Sequence, residues 1–117
     1  MKLDDIGGQL VKGHLEMLLL GVLEQGPLHG YAIIEQLRKR SGGVFELPEG
    51  TIYPALHRLE DAGCLTSSWS EAAGRRRREY RLTGEGREAL AAKREQWTSF
   101  SAAVGGVIGT ALAGGAL

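Results

Sequence analysis

Apolar residues along the first third of the chain recur with helical spacing. Leu15, Leu18, Leu19, Val22 and Leu23 fall on one face of a helix predicted over His14–Gln25, which Gly26 and Pro27 stop. A shorter helix around Ile6 to Val11 is a further option. The next stripe is Ile33, Ile34 and Leu37. It predicts a helix starting at His29 or Gly30 and closing on Arg38, Lys39 and Arg40, whose positive charge suits a helix C-terminus; Ser41, Gly42 and Gly43 end it. After a loop over Val44–Pro48, Ile52, Ala55, Leu56 and Leu59 give the inner face of a third helix. That helix begins at Glu49 or Gly50 and runs to Ala62, with Gly63 as its stop. Pro54 is expected to be tolerated there because the first four N–H groups of a helix lack intrahelical partners.

The period then changes. Cys64–Glu71 and Arg76–Leu82 read as two strands, carrying Trp69, Tyr80 and Leu82, joined by a turn over Ala72–Arg75. Thr83 is a good N-cap for a fourth helix, and Glu85 places negative charge in its first turn. That helix is predicted to reach about Leu112. Along it Leu90, Lys93, Trp97, Phe100, Val104, Val107 and Ala111 step alternately by three and four, the heptad spacing of a seam that needs a partner helix. No other predicted helix is long enough to cover it, so the expected partner is a second copy. The fold class is therefore mostly α with a small β-hairpin: a winged helix-turn-helix over 1–82, then a long C-terminal dimerisation helix with a glycine-rich tail over 83–117. No internal repeat is visible.

Composition adds limits. The chain has 117 residues, enough for one core plus an appended helix, and its net charge is zero, so global charge makes no case for a polyanionic partner. Local charge does. Arg75 to Arg81 holds five arginines and one glutamate, and Arg38, Lys39 and Arg40 form a second basic cluster. Cys64 is the only cysteine, which suits a reducing cytoplasm. The opening MKLDDIGGQL has no apolar core of a secretory signal. Ser101–Leu117 is uncharged but short and glycine-rich for a membrane span, so no membrane partner is expected.

In a winged helix-turn-helix, the third helix turns one side to the core and the other to the major groove. The outer side here carries Gly50, Pro54, His57 and Asp61, flanked by Thr51, Tyr53 and Arg58. Its N-terminal half is small or hydrogen-bonding, which permits close approach to bases. Backbone N–H groups near Gly30 and Tyr31 are candidate phosphate contacts at a helix start. Arg75, Arg76, Arg77 and Arg78 at the hairpin tip are candidates for gripping phosphate beside a minor groove.

The stretches LLLGVLEQGPLHGYAIIEQL (18–37), EGTIYPALHRLEDAGCL (49–65) and GRRRREYRLTGEGREAL (74–90) resemble the PadR family of bacterial transcriptional repressors. The middle stretch is the most specific, for its Tyr-Pro pair inside a recognition helix. The short fourth helix is similar to the smaller subfamily. The resemblance implies a homodimeric repressor on an inverted-repeat operator in double-stranded DNA, released in many members by a small aromatic or hydrophobic effector. It also suggests DNA contacts from Gly30, Tyr31, Thr51, Tyr53, Pro54, His57 and the wing arginines. The glycine-rich tail from Gly105 departs from the usual pattern.

Each candidate has a plainer role. Tyr31 and Tyr53 could be packing residues, and the arginine run a solvated turn. Trp97 reads as a dimer-core residue, or with Phe100 as a stacking surface for a planar effector, and the two are compatible. Leu90, Trp97, Phe100, Val104 and Val107 are the expected dimer interface, and Trp69 is expected to pack within the wing. Gly105 and Gly109 form a GxxxG pair, continued by Ala113, that would let helices approach closely. His14, His29 and His57 lack metal-ligand spacing, so no metal or other cofactor is expected. No nucleophile–base pair or phosphate loop suggests an enzyme. A winged helix that binds proteins without reading an operator is the alternative, which the arginine-rich wing disfavours.

Overall fold

The structure is a computed structural model that describes residues 8–110. Helix α1 spans Gly8–Val22, strand β1 Leu28–His29, α2 Gly30–Arg40 and α3 Glu49–Asp61. Strands β2 (Leu65–Ala72) and β3 (Arg75–Leu82) follow, then α4 over Gly84–Ile108. The three strands form one antiparallel sheet in the order β1-β3-β2, so β3 is central. This is the mostly α winged helix-turn-helix architecture with a long final helix that the sequence pattern predicts.

One core holds it together. Leu15, Leu19, Leu20 and Leu23 from α1 and the turn after it meet Ile33 and Leu37 of α2 and Ile52, Ala55, Leu56 and Leu59 of α3. Leu65, Tyr80 and Leu82 close it from the sheet, and Leu90 from α4. The predicted inner faces of the first three helices are thus the ones turned to the core, with Leu18 and Ile34 half-buried at its edge. The heptad pattern places Leu90 in a seam between copies, and this is corrected. Leu90 is 3% exposed within its own chain, because the first turns of α4 lie on α1, so it leaves the dimer interface.

The first helix begins six residues before the predicted start. Gly13 does not break it: the space where a Cβ would stand is open, and the residue costs only helix propensity. Ile6 and residues 111–117, including Ala111, Ala113 and the predicted end at Leu112, lie outside the described residues. Helix α4 closes earlier than predicted, where Gly109 adopts φ 84° and its N–H bonds Gly105 O at 2.9 Å.

Helix α3 ends in a Schellman motif: Gly63 N–H bonds Glu60 O at 3.0 Å and Cys64 N–H bonds Leu59 O at 2.9 Å, with Gly63 at φ 83°. The reason expected for tolerating Pro54 is corrected. The Ile52 N–H already bonds Pro48 O at 3.1 Å, so Pro54, two residues on, stands inside the hydrogen-bond ladder, where its missing N–H would have served Gly50 O. Gly50 is exposed, which leaves that carbonyl to water.

The hairpin turn is tighter than predicted. Ala72 pairs with Arg75, leaving two turn residues, Ala73 at φ 53° and Gly74 at φ 74°. Positive φ at both is the type I′ geometry that matches strand twist. Strand β1 is not among the predicted elements; two residues carry no periodicity, and Leu28 and His29 become a strand only by pairing with Tyr80 and Glu79 on β3.

Candidate nucleic-acid interface

The register of the hairpin divides its arginines. Arg76 and Arg78 share a face with Trp69, which stands directly opposite Arg78; Arg75 and Arg77 point to the other face with Glu79 and Arg81. On the first face, Arg76 and Arg78 lie over the Trp69 ring, 4.7 and 5.4 Å from its centroid. Trp69 packs within the wing as expected, though on its surface: it is 54% exposed and serves as a platform for two guanidinium groups. Arg78 also lies 3.9 Å from Glu60 of α3, and Glu60 accepts a bond from the Ser67 hydroxyl, which ties the wing to the third helix. Among the described residues, Arg75, Arg76 and Arg77 have no carboxylate within salt-bridge distance. Three of the wing's five arginines therefore carry no close ion pair.

Helix α3 shows the predicted outer side. Gly50, Pro54, His57, Arg58 and Asp61 are exposed and Thr51 is half-buried. Thr51, Pro54 and Arg58 form one wall of a cleft of about 400 Å³ whose other wall includes Val11 and Lys12 of α1.

Tyr53 is half-buried, and its ring covers Gly30. Burial, then the nearby Glu49 and Tyr31, push its hydroxyl above the ordinary phenol value, so it stays a protonated donor. Gly30 is buried, and a Cβ there would collide with the Tyr53 ring. The expected DNA contact at Gly30 is therefore corrected: this glycine admits the tyrosine ring and offers no open surface. Tyr31, one residue on, is 65% exposed.

A residue that the sequence did not single out as a site stands beside them. His29 caps α2, its Nδ1 accepting from Ala32 N–H at 3.2 Å, and its Nε2 lies 2.8 Å from Arg77 Nη1. The only available sequence signal was its position directly before the helix; its distance of 48 residues from Arg77 hid the pairing.

The second candidate site lies on α4. Trp97 is 41% and Phe100 58% exposed; their rings are 6.4 Å apart, and His14 of α1 meets Trp97 edge-on at 5.0 Å. They line an open cleft of about 500 Å³ with Lys12, Met17, Lys93 and Gln96. Val104 is half-buried and Val107 exposed further along the same helix. No helix among the described residues is long and apolar enough to cross a membrane.

A compact three-helix core, a third helix with a bare outer side and an arginine-tipped hairpin beside it define a winged helix-turn-helix protein of the DNA-binding class. The sequence model of the transcriptional regulator PadR-like family matches residues 19–92, and the chain belongs to that family. Similar solved structures include a PadR-family transcriptional regulator from Eggerthella lenta, 34% identical, with a TM-score of 0.74 and coverage of 90% of this chain and 94% of that one. Another is the Bacillus subtilis PadR in complex with operator DNA, 29% identical, with a TM-score of 0.61, covering 67% of this chain and 45% of that one. A transcriptional regulator of Mycobacterium tuberculosis is 41% identical over 63 residues, which are 54% of this chain and 56% of that protein.

Proposed function

We propose that this chain is an operator-binding repressor that acts in the cytoplasm as a homodimer on an inverted repeat. The observation that carries the reading is the cluster of arginines without close ion pairs on a hairpin tied through Glu60 to a helix whose outer side is bare. Phosphate contacts from the wing supply affinity, while Thr51, Tyr53, Pro54, His57 and Arg58 supply sequence reading in the major groove. The operator complex of the Bacillus subtilis neighbour supports the DNA partner. The exposed Trp97, Phe100 and Val107 support pairing of α4 with a second copy, since a continuous apolar stripe on one helix calls for a cover.

The Trp97–Phe100 cleft is the place for a small aromatic or hydrophobic effector, which would act by favouring one spacing of the two reading helices over another. Replacing Arg75, Arg76, Arg77 and Arg78 together by alanine should weaken binding to every duplex. It should also flatten the dependence of log K on log salt by about one unit for each phosphate that the wing no longer neutralises. Unchanged affinity removes the wing from the site. Trp97→Ala should abolish a response to planar apolar ligands or shift the protein to single chains, which sedimentation separates. A variant that stays dimeric and responsive refutes the role given to Trp97.

A further inference from the structure

We propose that His29 and Arg77 form a clamp for a single phosphodiester group of the DNA backbone, a site that rests on the DNA-binding reading above. The clue is a contact between two donors. His29 Nδ1 accepts from the Ala32 N–H, so Nδ1 holds a lone pair and the ring proton sits on Nε2. That Nε2–H faces Arg77 Nη1 at 2.8 Å, and a guanidinium has no lone pair to offer. Exchanging the tautomer moves the conflict to the other nitrogen, where an Nδ1–H would face the Ala32 N–H. A neutral imidazole accepts at one nitrogen, and here two donors address it from opposite sides.

An external acceptor resolves the conflict. An anionic oxygen with several lone pairs, entering as Arg77 swings off the ring nitrogen, can take the Nε2–H and one Arg77 N–H together while Nδ1 goes on capping α2. The surrounding protein does not supply that oxygen. Glu79, opposite His29 in the sheet, is turned to Arg81 at 3.9 Å and Ser70 at 3.4 Å, and no carboxylate among the described residues pairs with Arg77. The charge around the site favours phosphate over a neutral ligand, since Arg75 lies on the same face of the wing and carries no partner there either. The ligand is held by side chains from two elements, β1 and β3, whose register fixes their spacing.

The experiment uses the full chain and a random-sequence DNA duplex, because a phosphate clamp is indifferent to sequence. His29→Ser keeps a capping oxygen for α2 and removes the ring, and Arg77→Ala removes the other donor. Each should lower affinity roughly tenfold without lowering the melting temperature, and Arg77→Ala should flatten the salt slope by about one unit. The double variant should lose less than the product of the two single losses, because both donors serve one oxygen. In nitrogen-resolved NMR, the His29 Nε2–H resonance should sharpen and move downfield when duplex is added.

Wild-type affinity for His29→Ser, or strictly multiplicative losses in the double variant, overturns the clamp while leaving the DNA-binding reading in place. If wild-type protein fails to bind any duplex at low salt, the DNA-binding reading and the clamp fall together.

Discussion

Gly30 and Tyr53 make the sharpest energetic test of how the reading head is assembled. An alanine Cβ at position 30 would stand 2.6 and 2.7 Å from Tyr53 Cζ and Cε1 and closer still to its hydroxyl oxygen. Ordinary contact requires the ring to retreat by about 1 Å, and Tyr53 is packed against the core on its inner side. Forcing a methyl group into such a contact costs about 1–3 kcal/mol, and the better helix propensity of alanine returns up to about 1 kcal/mol. The net loss is about 1–2 kcal/mol, which for a domain of this size lowers the melting temperature by roughly 5–15 °C. The assay is thermal unfolding followed by circular dichroism at one fixed protein concentration, since association shifts apparent stability.

The decisive measurement is the same substitution with Tyr53 removed. In a Tyr53→Ala background, Gly30→Ala should cost nothing and stabilise slightly, a coupling of about 1–3 kcal/mol between the two positions. Equal effects in both backgrounds would refute the account, because they would place the glycine's role in its backbone and not in the space it leaves.

Other outcomes follow from the joints of the fold. Thr83 caps α4 by accepting from Gly86 N–H at 3.0 Å, and its hydroxyl donates to Gly63 O at 2.6 Å; Thr83→Ala should cost about 1–2 kcal/mol, while Thr83→Ser stays close to wild type in the same denaturation curves. Arg94, bonded to Glu24 at 2.9 and 3.3 Å, holds that exposed carboxyl below its ordinary value of 4.5. Its folded-state value is thus depressed, so the stabilisation is complete above the unfolded value and fades as pH falls through the folded one. Wild type should exceed Glu24→Gln in stability at neutral pH and converge with it in acid; a gap independent of pH would rule the ion pair out. Ala73→Gly should stabilise the hairpin slightly, because a side chain at φ 53° is disfavoured, and a loss of stability there would contradict the turn geometry.

The helices were legible because their apolar spacing is set by local geometry. Ile52, Ala55, Leu56 and Leu59 point inward wherever that helix is placed, and Gly63 announces its end. What could not be read depends on neighbours distant in sequence. Leu28 and His29 become a strand only because β3 has a free edge beside them. Leu90 fits a heptad as well as a core, and only the position of α1 decides between the two. The apolar stripe from Leu15 onward does not reveal how far the first helix extends towards the N-terminus, and it runs back through Gly13 to Gly8. The candidate site divides in the same way. The outer side of α3 and the charge of the wing are patterns along one segment, whereas the Trp69 platform, the cover over Gly30 and the contact of His29 with Arg77 are meetings between segments.

The junction between β3 and α4 has a mechanical consequence. Thr83 is the single residue between them; its N–H and hydroxyl are fastened to Cys64 O and Gly63 O, and a Cβ on Gly86 would strike the Cys64 carbonyl. With 25 residues, α4 is a rod about 37 Å long, so a tilt of about 5° sweeps its far end through roughly 3 Å. No slack at the root absorbs such a swing. Whatever grips the distal turns therefore steers the hairpin and the third helix as one body, in the way that a tiller turns a rudder.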